Sequence, residues 1–471
     1  MDVILKEPFI SIVGEKNIKH SQAQLLSYSY DATANFQAKP DLVLSPRSTE
    51  EVVEIVKVCA AGQIPLISRG SGTNLAAGTV PTQGGIVLLF NNMKQILELD
   101  EENLTVTVQP GVITQDLSEF AEANGLFYPP DPSSMKISTI GGNVSENSGG
   151  LRGLKYGVTK DYVKALTVVM PDGHVLKLGG KLAKDVAGYD LLSLLVGSEG
   201  TLGIITEITL KLIPLPAAKK TGIAYFTSLE DAARTVSSII ANKIIPVTLE
   251  FMDQGTISAV EDFMHIGLPR DAEAMLLMEQ DGTEEQVARD IQRMIEIAEE
   301  QGATSAILAA SDEEAEILKT GRRVALSALS RKRPTTILED ATVPRSEIAK
   351  MVKAIQAIAI KYDVQINTFG HAGDGNLHPT CLTDVRDKEE MARVEGALDE
   401  IFHVAIELGG TITGEHGVGE MKSPYLEWKI GKHGIDLMRH IKQSIDPQNI
   451  MNPGKIFAKE TKKRLVIHGG N

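Results

Sequence analysis

Gly197-Ser198-Glu199-Gly200-Thr201-Leu202-Gly203-Ile204-Ile205-Thr206 is a glycine-dense turn that runs straight into an alternating stretch ending at Ile213. Alternation of apolar and polar positions predicts a half-buried strand from Gly203 to Ile213. A turn alone does not need this much glycine. Lacking a Cβ, glycine lets backbone amides turn inward and approach a ligand, and successive inward amides form a nest for anions. Two earlier segments have the same texture. Arg69-Gly70-Ser71-Gly72-Thr73-Asn74 follows a predicted strand, Ile64–Ser68, and Ser138-Thr139-Ile140-Gly141-Gly142-Asn143 continues to Asn147-Ser148-Gly149-Gly150. Ser71, Thr73 and Ser138 add hydroxyl donors. Together the three segments suit the diphosphate of a bound cofactor. Neither G-x-G-x-x-G nor G-x-x-x-x-G-K-[ST] stands in the right context, so nicotinamide-fold and P-loop readings lose support.

Outward from these loops the chain reads as alternating strands and helices. Residues 1–37 form a helical leader. A short strand at Asp41–Leu44 precedes Ser48 and Glu51, a capping-box pair opening an amphipathic helix through Cys59. Strands are expected at Gly85–Phe90 and Leu104–Gln109, and Asp172-Gly173 should turn a hairpin between Val163–Met170 and Val175–Leu178. Pro214-Leu215-Pro216 marks a domain boundary. The expected division is a cofactor domain at 38–216, a substrate domain at 217–445 and a closing segment at 446–471. The second domain interleaves strands (Val247–Phe251, Ala274–Glu279, Thr336–Asp340, Gln365–Phe369) with helices (Glu285–Gln301, Glu313–Ser330, Ser346–Tyr362, Lys388–Leu408). That pattern implies an α+β fold whose second domain is a sheet covered by helices.

Bulk properties exclude several functions. With 471 residues and a formal net charge of −15, the chain lacks the basic surface that nucleic-acid binding needs. No stretch approaches the ~20 apolar residues of a spanning helix, and the first residues do not read as a signal peptide. The expected location is cytoplasmic, with attachment to the inner face of the membrane only through a partner. The two cysteines, Cys59 and Cys381, offer no cluster motif, so an iron–sulfur centre would have to sit on another subunit.

The chemistry lies in the second half. His371-Ala372-Gly373-Asp374-Gly375-Asn376-Leu377-His378 carries an Asp-Gly turn that can bring its two histidines across from one another. Thr413-Gly414-Glu415-His416-Gly417-Val418-Gly419 supplies a further carboxylate and imidazole. Two histidines and one carboxylate suit an open divalent-metal site. Adjacent residues on a regular strand face opposite ways, so Glu415 and His416 can serve one pocket only on irregular backbone, which Gly414 and Gly417 permit. A substrate carboxylate calls for a bidentate cation, and Arg322 in Gly321-Arg322-Arg323 is the candidate, a solvated helix face being the alternative for that pair.

The order P-D-L-V-L-S-P-R-S-T-E-E-V, R-G-S-G-T-N, S-T-I-G-G-N and G-S-E-G-T-L-G-I-I-T resembles the FAD-binding domain of the vanillyl-alcohol oxidase and p-cresol methylhydroxylase superfamily. H-A-G-D-G-N-L-H-P, G-E-H-G-V-G and D-P-Q-N-I-M-N-P-G-K-I further resemble its FAD-linked D-2-hydroxy-acid dehydrogenase branch, which includes glycolate oxidase flavoprotein subunits and D-lactate dehydrogenases. The resemblance implies a two-lobed FAD-binding domain, with FAD held by Arg69, Gly70, Ser71, Gly72, Thr73, Asn74, Ser138, Thr139, Gly141, Gly142, Asn143, Glu199, Gly203, Ile204, Ile205 and Asn452. Gly72-Thr73-Asn74 lacks the histidine to which some relatives attach FAD, so the cofactor should be non-covalent. The resemblance also implies His371, His378 and Glu415 as ligands of a divalent metal, zinc or manganese, and His416 as the base. The implied reaction is oxidation of a small 2-hydroxy monocarboxylate, glycolate or D-lactate. Electrons would pass to an iron–sulfur subunit, an electron-transfer flavoprotein or a quinone pool. Two alternatives are a catalytically silent FAD-binding subunit, which should lack the histidine motifs, and a non-redox FAD enzyme of the alkyl-glycerone-phosphate synthase type.

Overall fold

The computed structural model describes residues 6–462; the ends of the leader and closing segments read from the sequence lie outside them. The chain forms two compact units. The first comprises the chain through Gly149, then Val158–Leu215 and Glu415–Thr461; the second comprises Gly150–Gly157, Pro216–Gly414 and Lys462.

The first unit contains two principal sheets. In one, Leu42–Leu44, Ile86–Leu89 and Leu66–Arg69 pair in parallel, and Ile18–Lys19 adds antiparallel to the outer edge of Leu42–Leu44. The helix Thr49–Gly62 crosses between parallel strands, with Ser48 accepting from the Glu51 amide at its start. Its Val52, Ile55, Val56 and Cys59 recur at helical spacing and are buried with Phe9 and Val13 of the leader. The leader is therefore part of this lobe's core. The other sheet is five-stranded and antiparallel, in the order Ile96–Asp100, Thr105–Val108, Ile204–Lys211, Val163–Val169 and Val175–Gly179. The expected hairpin turns at Asp172-Gly173, where Gly173 takes φ +83. The closing segment returns to the first lobe: the Leu66 amide donates to Ile450 O at 2.7 Å, and the Asn452 amide to Leu66 O at 2.8 Å.

The second unit is built on an eight-stranded antiparallel sheet. Its central strands are Ala274–Gly282, Thr248–Asp253, Gln365–His371 and Asn376–Thr383. Helices Leu229–Ala241, Glu284–Glu300 and Ile348–Tyr362 pack on the sheet and on one another, while Gln254–Met264, Asp312–Arg323 and Ala325–Leu329 form a second group. Glu284–Glu300 shows why such helices form. Thr283 caps it by accepting from the Gln286 amide, and Val287, Ile291, Met294 and Ala298 make its buried stripe. The helix expected over 313–330 is two helices, broken at Val324.

Candidate active site

In the first unit the glycine loops meet one another. A Cβ on Gly70 would lie 2.2 Å from Thr139 Oγ1, and one on Gly72, at φ +72, would lie 2.2 Å from Arg69 Nη2. Ser71 Oγ donates to Ile137 O at 2.5 Å. At Gly70 the first two loops therefore approach so closely that only glycine fits, while Gly72 is required by its positive φ. Thr139 caps the short helix Ile140–Glu146, accepting from the Gly142 amide, and Gly141 lies where any side chain would strike Pro110. Ser138 Oγ and Asn143 Nδ2 both meet Thr114 Oγ1, at 2.9 and 2.7 Å, which ties the second loop to the start of the helix Thr114–Ala123. Thr73 and Asn74 are half-buried in the first loop.

The third loop is tied differently. Glu199, at φ +53, accepts from the Val418 and Gly419 amides at 2.7 Å each, and its own carbonyl accepts from Asn452 Nδ2 at 2.7 Å. Glu199 and Asn452 thus join the loop, the closing segment and the stretch after His416. Gly203 has no room for a side chain against Val168, and Ile204 and Ile205 are buried in the strand it opens. Burial raises the Glu199 carboxyl above its ordinary range, against the pull of the two amides. It raises Glu146 further, helped by Glu199 and Asp31. Glu415 and His416 are half-buried in this unit, with Glu415 packed where Gly149 has no side chain.

In the second unit the site is a sheet face. The register pairs Phe251 with Gly370 and Met252 with Phe369, which puts Glu250 beside His371. His371 pairs with Asn376 and Phe369 with His378. Side chains alternate along a strand and directly paired residues share a face, so Glu250, Phe369, His371 and His378 all point the same way. The two histidines are therefore diagonal neighbours, not opposite one another as the turn suggested. Their rings stand 5.2 Å apart at 89°. The turn itself forms as read, with Gly375 at φ +86.

Arg322, near the end of helix Asp312–Arg323, is 2% exposed, which excludes the solvated-face alternative. Its Nη2 lies 2.7 Å from Glu250 Oε2, and its guanidinium stacks 4.8 Å from the Phe369 ring. The other Glu250 oxygen lies 2.8 Å from His371 Nδ1. Burial pushes the Glu250 carboxyl up, but its neighbours His371, which also hydrogen-bonds it, and Arg322 outweigh that and hold it below the ordinary range. A carboxylate on Nδ1 keeps the proton there and leaves the lone pair on Nε2, the tautomer of a metal ligand. On the His378 side, fully buried Asp340 accepts from Thr413 Oγ1 and the Gly414 amide, both at 2.7 Å. Its Oδ1 is 3.9 Å from His378 Nδ1, too far for a hydrogen bond.

Glu250, Asp340 and Phe369 are not among the site residues read from the sequence. A signal for Glu250 existed: it is the lone carboxylate inside the apolar run Val247–Met252.

Close-packed glycine loops in one unit, and a sheet face of buried imidazoles and a guanidinium in the other, are features of a cofactor-dependent enzyme. The chain belongs to the FAD-linked oxidases: the model of their C-terminal domain matches residues 215–456, and an FAD-binding domain model matches 40–179. It is 62% identical over 462 residues to glycolate oxidase subunit GlcD of Bacillus subtilis, covering 98% of both chains. It is 39% identical to the subunit of the same name in Escherichia coli K12, covering 93% of this chain and 88% of that one. A D-lactate dehydrogenase of Anaerostipes hadrus is also 39% identical, over 92% of this chain and 93% of its own. Among solved structures, p-cresol methylhydroxylase with substrate bound shares the fold at TM-score 0.79 and 18% identity, covering 96% of this chain and 95% of that one. Alkyldihydroxyacetonephosphate synthase does so at TM-score 0.74 and 19% identity, over 94% of this chain and 85% of that one. No helix among the described residues is long and apolar enough to cross a membrane.

Proposed function

We propose that this protein oxidises a short 2-hydroxy monocarboxylate, glycolate or D-lactate, to the 2-oxo acid. The observation that carries the reading is Arg322. It is a buried guanidinium that is ion-paired with Glu250 through Nη2 and whose Nε makes no hydrogen bond among the described residues, close to two imidazoles. A substrate carboxylate supplies a further acceptor, for which the planar guanidinium fork is suited. Relatives named glycolate oxidase subunit and D-lactate dehydrogenase agree with that choice. Next to His378, the strand Thr335–Leu338 presents Ile337 and Leu338 and leads into Glu339 and Asp340. It provides no second cation, which disfavours a dicarboxylate.

The donor set fits a divalent metal, since Glu250 prepares the His371 ring and His378 lies diagonally beside it. His371 and His378 would hold zinc or manganese, with Glu415 as third ligand, one peptide bond beyond the anchored Gly414. Such an ion supplies positive charge that lowers the pKa of a substrate hydroxyl. FAD, held non-covalently, supplies the hydride acceptor. Arg322 binds and orients the carboxylate while Phe369 screens the guanidinium from water. His416 accepts the hydroxyl proton, a transfer that an imidazole of ordinary pKa near ~6.5 completes only if the alcohol is first made more acidic. The electron acceptor is a partner: an iron–sulfur subunit, an electron-transfer flavoprotein or the quinone pool. The test is anaerobic mixing with candidate acids. Glycolate or D-lactate should bleach the flavin and D-2-hydroxyglutarate should not; a flavin that stays yellow with both monocarboxylates rejects the proposal.

A further inference from the structure

We infer that Glu250 is a positioning residue that couples metal binding to substrate binding. The inference rests on the function proposed above and goes beyond it. One carboxylate spans two tasks. Oε1 meets His371 Nδ1 at 2.8 Å, while Oε2 faces Arg322 Nη2 at 2.7 Å. Glu250 is 1% exposed, so neither contact is shared with solvent. Its place follows from register, since the pairing beside Phe251 and Gly370 sets it next to His371 on one face. No other carboxylate among the described residues forms an ion pair with Arg322.

The two contacts act with opposite sign. Toward His371, the carboxylate fixes the ring and makes Nε2 a better donor to a cation; losing such a partner typically lowers metal affinity about ten- to a hundredfold. Toward Arg322, it is a counter-ion that partly cancels the charge a substrate carboxylate would meet. Without it, a buried guanidinium needs an anion from outside. Glu250 thus strengthens the metal site while weakening anion capture, which keeps Arg322 from being permanently occupied by whatever carboxylate is at hand.

Glu250→Gln and Glu250→Asp separate these effects in the full flavin-containing protein. Zinc affinity is read by competition with a chromogenic chelator, and acetate affinity by calorimetry on metal-depleted protein, so neither readout depends on turnover. Glu250→Gln should bind zinc about ten- to a hundredfold more weakly and acetate about tenfold more tightly, as removal of one adjacent counter-charge requires. Glu250→Asp keeps the charge but shortens the reach. It should lose zinc affinity while its acetate affinity stays near wild type. A merely structural residue would weaken both ligands together. That result, or unchanged zinc affinity in both variants, overturns the inference. Wild-type protein that takes up no zinc or manganese would sink the proposed metal site and this inference together. Wild type that binds metal beside unaltered variants would sink only the inference.

Discussion

Gly70, Gly72 and Gly141 in the first unit matter for the atoms they lack, whereas Glu250, Arg322 and His371 in the second matter for the atoms they carry. The loops are made of backbone. Their polar side chains largely satisfy one another, as Ser138 and Asn143 do through Thr114, and what they offer a ligand is close approach. The sheet face is made of buried charge, and its partners hold each other in place across three elements. The difference teaches where each half is fragile. Adding a methyl group should damage the first; removing or exchanging a functional group should damage the second.

The largest effect should come from the sheet face. His378→Ala is expected to lose bound metal and about a thousandfold or more in kcat, because several kcal/mol of charge stabilisation disappear. Metal analysis beside steady-state rates checks this, and unchanged metal content would remove His378 as a ligand. Arg322→Lys comes next. The charge remains but the fork is lost, so KM for glycolate should rise by about ten- to a hundredfold, the worth of a charged hydrogen bond of about 1.5–3 kcal/mol. An unaltered KM would return Arg322 to a structural role with Glu250. In the loops, Gly72→Ala places a Cβ at φ +72 against Arg69, costing about 1–2 kcal/mol of backbone strain alone. Purified protein should carry less FAD and melt earlier, whereas Ser71→Ala should retain most of its flavin. Equal flavin loss in both would break the contrast between backbone and side chain.

The smallest effect depends on pH. Burial, then Glu199 and Asp31, hold the Glu146 carboxyl well above its ordinary value. A raised carboxyl keeps its proton in the folded state after the unfolded chain has lost it. Its contribution to stability is full below the ordinary carboxylate range and declines as pH rises through the raised value. Glu146→Gln, which stays neutral, should therefore match wild type in acid and melt at a higher temperature above neutrality. A melting difference that does not change with pH would show that Glu146 is not titrating as described.

The glycine loops were legible because glycine at a crowded turn is a local requirement, visible wherever the residue stands. The first histidine motif was legible for a similar reason, since Asp374-Gly375 announces its own turn. Arg322 could be nominated but not separated from a solvated face, because burial belongs to the packed helix and not to the residue. Glu250 lies 121 positions from its histidine partner. Nothing in a linear reading ties a carboxylate in one apolar run to an imidazole in another.

Glycine placement and the short turn motifs thus pointed to a diphosphate-bearing cofactor, an α+β fold and the candidate histidines, while the motif resemblance implied FAD and the role of each side chain. Strand register decided the rest: which histidine faces which neighbour, that Glu250 backs His371, and that Arg322 is buried on Phe369. The reason is physical. Turn chemistry is set by adjacent residues, but pairing across a sheet is chosen by the free energy of the whole packed layer, and a slip of one residue would turn every one of these groups to the opposite face.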